Sequence, residues 1–122
     1  MNETPIHPPS CLRERLVGRT TVVELLGEID VLTAPVVSSR LDVLTCVPYP
    51  ELVVDLRRVI FIDCIGLSAL CRARNRAVRC GGRVRLVVSS PRVLRMLRAV
   101  RLTDVFDVLP ALPDVTSPVG TR

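Results

Sequence analysis

The side chains able to do chemistry in this chain are five cysteines, a scatter of carboxylates and hydroxyls, and one histidine. A thiol nucleophile needs a base beside it, and the only imidazole, His7, lies in a start that also holds Pro5, Pro8 and Pro9. Cys64, Cys71 and Cys80 are too widely spaced for a zinc knuckle, and neither Cys11 nor Cys46 forms a CxxC pair, so no metal site is expected. All 17 basic residues are arginine, which excludes a Schiff-base lysine, a lysine general base and a phosphate-loop lysine. The spacing of Asp55 and Asp63 suggests paired acids, yet no base, nucleophile or metal partner accompanies them. The residues therefore predict a non-enzyme with no cofactor.

Whatever these side chains do, one domain must hold them, because 122 residues suffice for a single core. Hydrophobic residues make up 48% of the chain and aromatics only 2%, so the core must be Val- and Leu-built. A net charge of +5 raises the question of nucleic acid. Tyr49, Phe61 and Phe106 are too few for a base-stacking platform, and no zinc-finger or basic-zipper spacing is present, so none is expected. The basicity equally suits an acidic protein partner. No membrane span is expected, since the longest apolar run, Val59 to Cys71, is short and interrupted by Asp63. An odd number of cysteines and a polar start without a signal-peptide pattern predict reduced thiols in a cytoplasm.

Residues 1–10 read as a disordered arm, 11–109 as the domain and 110–122 as a proline-rich tail. Leu12 to Val17 and Thr20 to Leu26 read as strands, the second stopped by Gly27, with GEID (Gly27 to Asp30) as a turn. Thr33 and Pro35 open a helix to about Leu44, with Thr33 capping it and Val36, Val37, Leu41 and Leu44 inward. Leu52 to Leu56 is a short buried strand. FIDCIG (Phe61 to Gly66) then enters a helix from about Cys64 to Arg79, ended by Gly81-Gly82. Its inward positions are Leu67, Leu70, Cys71, Ala77 and Val78, with Arg72, Arg76 and Arg79 as an outer stripe. Val84 to Val88 is a further strand. Ser89-Ser90-Pro91 opens a third helix to about Val100, with Leu94, Leu97 and Val100 facing in and Arg92, Arg95 and Arg98 out, before a last strand from Val105 to Val108. Alternating strands and helices after a first hairpin predict an α/β domain with a mostly parallel sheet of about five strands, flanked by three to four helices.

The combination of GEID, Thr33-Ala34, VVDL (Val53 to Leu56), FIDCIG and a helix ending in Gly-Gly resembles the STAS family, over about residues 12–109. These are the anti-anti-sigma factors of bacteria, related to a domain at the end of sulfate transporters. In that family the stretch matching FIDCIG usually carries two serines between its Asp and Gly. The first is commonly phosphorylated by the partner anti-sigma factor, a kinase of the histidine-kinase-like ATPase type. The unphosphorylated antagonist binds that kinase and releases a sigma factor; the phosphorylated form lets go. A phosphate adds about −1.5 to −2 charge, enough to disturb a close-fitting surface.

This chain departs from the pattern at the decisive place: Cys64 stands at the phosphorylated serine and Ile65 at the second. Cysteine nearly matches serine in shape, but a thiol is not a normal substrate for a serine kinase. The resemblance thus implies a cytoplasmic, transcription-regulating protein that binds a kinase-type anti-sigma factor without the usual off-switch. It implies a partner surface of Glu28, Asp30, Thr33, Asp63, Cys64, Ile65, Gly66 and Ser68, with Arg72 and Arg76 meeting an acidic patch on the kinase. Ser68 and Thr33 remain open as phosphate acceptors. Two other readings stay open as well, a small-ligand or lipid-transport accessory module and a redox sensor through Cys64. A homodimer through an exposed sheet edge is permitted without being required.

Overall fold

The computed structural model describes residues 11–113. The expected disordered arm, 1–10, and the expected tail from 114 onward lie outside the described residues. Strand β1 (Leu12–Val17) turns at Gly18-Arg19 into β2 (Thr20–Ile29), and the two pair antiparallel. Then follow α1 (Ala34–Leu44), β3 (Glu51–Ile62), α2 (Cys64–Arg79), β4 (Arg83–Val87), α3 (Pro91–Ala99), a 3-10 turn at Leu102–Asp104 and β5 (Asp107–Leu109). The sheet order is β1-β2-β3-β4-β5, with every pair after the first parallel. The mostly parallel α/β sheet expected from the sequence is the one observed.

Because each crossover steps one strand in the same direction, a right-handed connection puts all three helices on one face of the sheet. The core reflects this. Val23 and Leu25 of β2, Leu52, Val54 and Leu56 of β3, and Val84 and Leu86 of β4 pack with Val37, Leu41, Leu70, Val93 and Leu97 from the helices. Each such side chain contributes about 1.5–3 kcal/mol when removed from water. On the opposite face only Val22, Val53 and Val87 form a small cluster, joined by Val17, Leu109 and Leu112.

Several element boundaries differ from expectation. Gly27 does not stop β2: at φ +77 it adopts a left-handed conformation and carries the strand through to Ile29. Strand β3 does not end at Leu56 but runs through Arg57-Arg58 to Ile62. Against β2 its register slips twice, between Glu24 and Leu26 and between Gly27 and Glu28, so β3 carries an extra residue at each bulge. The arginines are tolerated because Arg57 folds onto Asp55 and Arg58 Nε reaches Glu24 at 3.5 Å. Val78 and Val100, expected inward, are exposed, since Ala69, Ala73 and Ala77 fill the inner side of α2 and α3 ends at Ala99. The last strand is Asp107–Leu109 rather than Val105 to Val108, because the 3-10 turn takes up the chain before Phe106, which is buried in the core.

On the face without helices, Asp55 is a buried carboxylate, 3% exposed. Arg57 grips it with Nε to Oδ1 (2.9 Å) and Nη2 to Oδ2 (2.8 Å), and the Arg57 N–H donates to Oδ1 at 3.0 Å. Burial alone would raise the Asp55 carboxyl; the hydrogen bonds from Arg57 and the charges of Arg57 and Arg15 outweigh it and hold the pKa below the ordinary value. Since folding lowers this pKa, the pair stabilises the fold fully above about pH 4 and fades as pH falls through the lower folded value. Asp55→Asn should lose about 1–3 kcal/mol at pH 7 by leaving Arg57 unsatisfied. In urea titrations its stability should then fall less steeply than wild type below about pH 4.

Candidate functional site

Parallel strands deliver their carboxyl ends to one edge of the sheet, and here β2 and β3 end side by side where α1 and α2 begin. Asp63, the residue before α2, is extended, and its Oδ1 accepts the N–H groups of Ile65 and Gly66, both at 3.0 Å. It is an N-cap, satisfying two amides that a helix start leaves without partners. Its own N–H donates to the Ile29 carbonyl at 3.1 Å, so the cap is also tied to the end of β2. Gly66 completes the junction. A Cβ there would lie 2.8 Å from Ile62 Cγ1 and 2.9 Å from Ile29 Cγ2, so only glycine lets the first turn of α2 rest on both strand ends.

The turn between β2 and α1 is closed by its own side chains. Asp30 Oδ1 accepts from the Leu32 N–H (2.9 Å) and the Thr33 N–H (3.3 Å). Thr33 Oγ1 donates to the Glu28 carbonyl at 2.8 Å and accepts from the Asp30 N–H at 2.9 Å. Thr33 occupies the N-cap position of α1, but its hydroxyl points back to the strand end and makes no cap bond, contrary to the expected role. Glu28 stands exposed opposite Phe61 in the ladder.

Glu28, Asp30, Thr33, Asp63, Cys64, Ile65 and Gly66 therefore converge on one edge. Cys64 is an exposed free thiol, and Ser68 one turn on is exposed with Oγ donating to the Cys64 carbonyl at 2.8 Å. Arg72 and Arg76 lie further along α2, about 9 and 15 Å from Gly66 at 1.5 Å per residue. They are turned towards α1. Asp42 Oδ1 is 3.7 Å from Arg72 Nε and 3.5 Å from Arg76 Nη2, and Arg72 also donates to Ser38 Oγ. Much of their charge is thus shared inside the molecule.

The same edge carries residues that the sequence reading passed over. Val31 (62% exposed) and Leu32 (79%) on the turn before α1, Ile60 (60%) and Phe61 (43%) near the end of β3, and Ile65 (45%) in the first turn of α2 make an apolar rim on this edge. Exposed large side chains concentrated at one place mark an interaction surface. The available signals were two aliphatic residues between turn-forming Asp30 and Thr33, and an apolar run that resumes after Arg57-Arg58. Beside the rim, a groove of about 450 Å³ runs between α1 and α2 past Pro35, Ile65 and Ala69. The hydrogen bonds of Asp30, Thr33 and Asp63 go to backbone groups, so this edge is built as a shaped surface.

The family model for the STAS domain matches residues 14–115, which include both strand ends and the whole of α2. The chain belongs to the STAS domain family. An anti-sigma factor antagonist from Mycobacterium paratuberculosis is similar at 27% identity and a TM-score of 0.77, over 85% of this chain and 88% of that one. An anti-sigma-factor antagonist STAS protein from Planctomyces limnophilus shares the fold at 17% identity, TM-score 0.72, over 83% and 91% of the two chains. The Bacillus cell fate determinant SpoIIAA in its phosphorylated form shares it at 19% identity, TM-score 0.63, over 80% and 89%. No curated protein sequence matches. Among the described residues of this STAS domain, no helix is long and apolar enough to cross a membrane.

Gly66→Ala should cost about 1–3 kcal/mol, because the added methyl meets two buried isoleucines. Asp63→Ala should cost about 1 kcal/mol through loss of the cap, and Asp63→Asn should restore most of it. Urea unfolding of the three variants measures both effects.

Proposed function

We propose that this STAS domain is an anti-sigma factor antagonist that binds a kinase-type anti-sigma factor and so frees a sigma factor. It acts by binding rather than by catalysis, in the cytoplasm, and it lacks the usual serine switch because Cys64 stands at the phosphorylated position. The observation that carries this reading is the apolar rim of Leu32, Ile60, Phe61 and Ile65 around the exposed start of α2. Support for the partner class comes from the similarity to the antagonist of Mycobacterium paratuberculosis.

The rim explains how one phosphate can govern such a contact. A group of about −1.5 to −2 charge at the first residue of α2 would stand among apolar side chains that must lose their water on docking. A thiol leaves the rim uncharged by that route. Binding energy in such a patch concentrates in a few large central side chains. Arg72 and Arg76, already shared with Asp42, contribute less to attraction than two free arginines would.

Titration calorimetry against a histidine-kinase-like ATPase anti-sigma factor from the same organism tests the reading. Leu32→Ala and Phe61→Ala should each weaken binding at least tenfold, about 1.4 kcal/mol. With ATP present, wild-type affinity should hold and position 64 should carry no phosphate. Cys64→Ser should gain phosphate there and lose affinity. Absence of binding to every such ATPase of that organism would overturn the proposal.

A further inference from the structure

Helix α2 is flanked unequally. On one side α1 packs along it, while on the other α3, nine residues against sixteen, shares few contacts with it. Between α2 and the end of α3 with its 3-10 turn lies a second groove, of about 490 Å³. Its α2 wall is a stripe of Cys64, Leu67, Cys71, Asn75 and Arg79, at separations of three or four residues, with Ser68 and Arg72 beside it. That stripe is about 22 Å long at 1.5 Å per residue. Leu67 and Cys71 are half-buried, Leu102 is buried at the floor, and Val100 stands exposed on the far wall. The Cys71 thiol is pushed up by this burial, with the charge of Arg74 opposing it, so the floor stays neutral.

The segment that leads into the far wall is strongly basic up to Arg101, before Asp104 in the 3-10 turn. Between Pro91 and Arg101 the chain carries four arginines and no acid, and Arg92, Arg95, Arg98 and Arg101 are all exposed. Neither these nor Arg79 forms an ion pair among the described residues, while Arg72, which also lines the groove, is paired with Asp42.

We propose that the groove between α2 and α3 is a docking site for an acidic amphipathic helix of a second protein. Its apolar side would lie on Leu67, Cys71, Val100 and Leu102, and its carboxylates would meet Arg79 and the arginines of α3. A wall with helical spacing takes a helix through anchors three, four and seven residues apart. Arginines without an ion pair among the described residues select acidic flanks and speed encounter. A membrane surface fits less well, because Leu67, Cys71 and Leu102 are recessed and only Val100 stands out among the apolar residues, while the arginines stand outward. Nucleic acid would want stacking aromatics, and none lines the groove. The groove shares Cys64, Ser68 and Arg72 with the partner surface proposed above but not Leu32 or Phe61, so the two contacts can be tested apart.

The probe is a synthetic helical peptide of about 15 residues, matched to the stripe at 1.5 Å per residue, with leucines on one face and glutamates on its flanks. The same peptide with lysine for glutamate and phosphatidylglycerol vesicles serve as controls. Fluorescence polarisation gives affinity, and amide shift mapping gives the site. The glutamate peptide should bind with shifts along the outer stripe of α2 and at Val100 to Leu102. Arg79→Glu and Val100→Asp, both at exposed positions and checked by circular dichroism, should each weaken it at least tenfold. Leu32→Ala should leave it unchanged while weakening the ATPase contact, which separates the two surfaces. Equal binding of the lysine peptide, shifts centred on Leu32 and Phe61, or binding to vesicles alone would overturn the proposal.

Discussion

The junction at Asp63 is the constraint on which the rest of the molecule depends. One carboxylate oxygen holds two amides of α2, and one N–H of the same residue holds the carbonyl of Ile29. The end of β2, the end of β3 and the start of α2 are thereby set relative to one another by three hydrogen bonds. Gly66 lets the helix come down onto Ile29 and Ile62, so the geometry rests on packing as well as on polar contacts. Everything exposed at this edge, from Leu32 to Ile65, takes its position from that seat.

Elements with a clean period were legible in the residues. Strand β1, helix α2 and strand β4 read correctly because each holds one pattern from end to end and is closed by clear stop signals. The parallel topology followed from their order. What escaped was β3, where Arg57-Arg58 interrupts an apolar run in the way a loop does. The interruption is a bulge, and it survives because Asp55 and Glu24, distant in sequence from one another, supply the opposite charges. The Arg58–Glu24 pair closes across strands and leaves no local trace, and the Asp55–Arg57 pair, two residues apart, does not by itself show that the strand continues. The same limit hid the apolar rim, since Ile60 and Phe61 reach solvent only because the second bulge spoils the alternation that would have buried one of them. At the site itself, the Asp, the Gly and the acidic turn were readable from their types. The direction of the Thr33 hydroxyl was not, because an N-cap residue can bond forward to the helix or back to the strand.

The charge of the molecule is sorted by the same geometry. Arg13, Arg58, Arg72 and Arg76 pair with carboxylates of neighbouring elements, and Arg57 with Asp55 of its own strand, so they join the fold's internal contacts. Surface pairs of this kind contribute little each, about 0–1 kcal/mol, and serve mainly to tolerate charge near the sheet. The arginines of α3 have no acid within their own helix or on the turn that follows in sequence before Asp104. Part of the net charge of +5 is therefore gathered on the segment that leads to the far wall of the α2–α3 groove.

On the proposed reading, cysteine stands at the start of α2 where the family carries a phosphorylated serine. The Cys64 side chain takes no part in the junction: the cap bonds belong to Asp63, and Ser68 uses the Cys64 carbonyl rather than its sulfur. Losing a hydroxyl there costs the fold nothing that these bonds supply. Ile65, on that reading at the place of the second serine, adds an exposed aliphatic side chain to the rim, and burying it against a partner would contribute about 1.5–3 kcal/mol. On the proposed reading, the first change removes a route to negative charge and the second strengthens apolar contact. Both push the same way, toward a complex that persists until competition or synthesis, rather than phosphorylation, ends it.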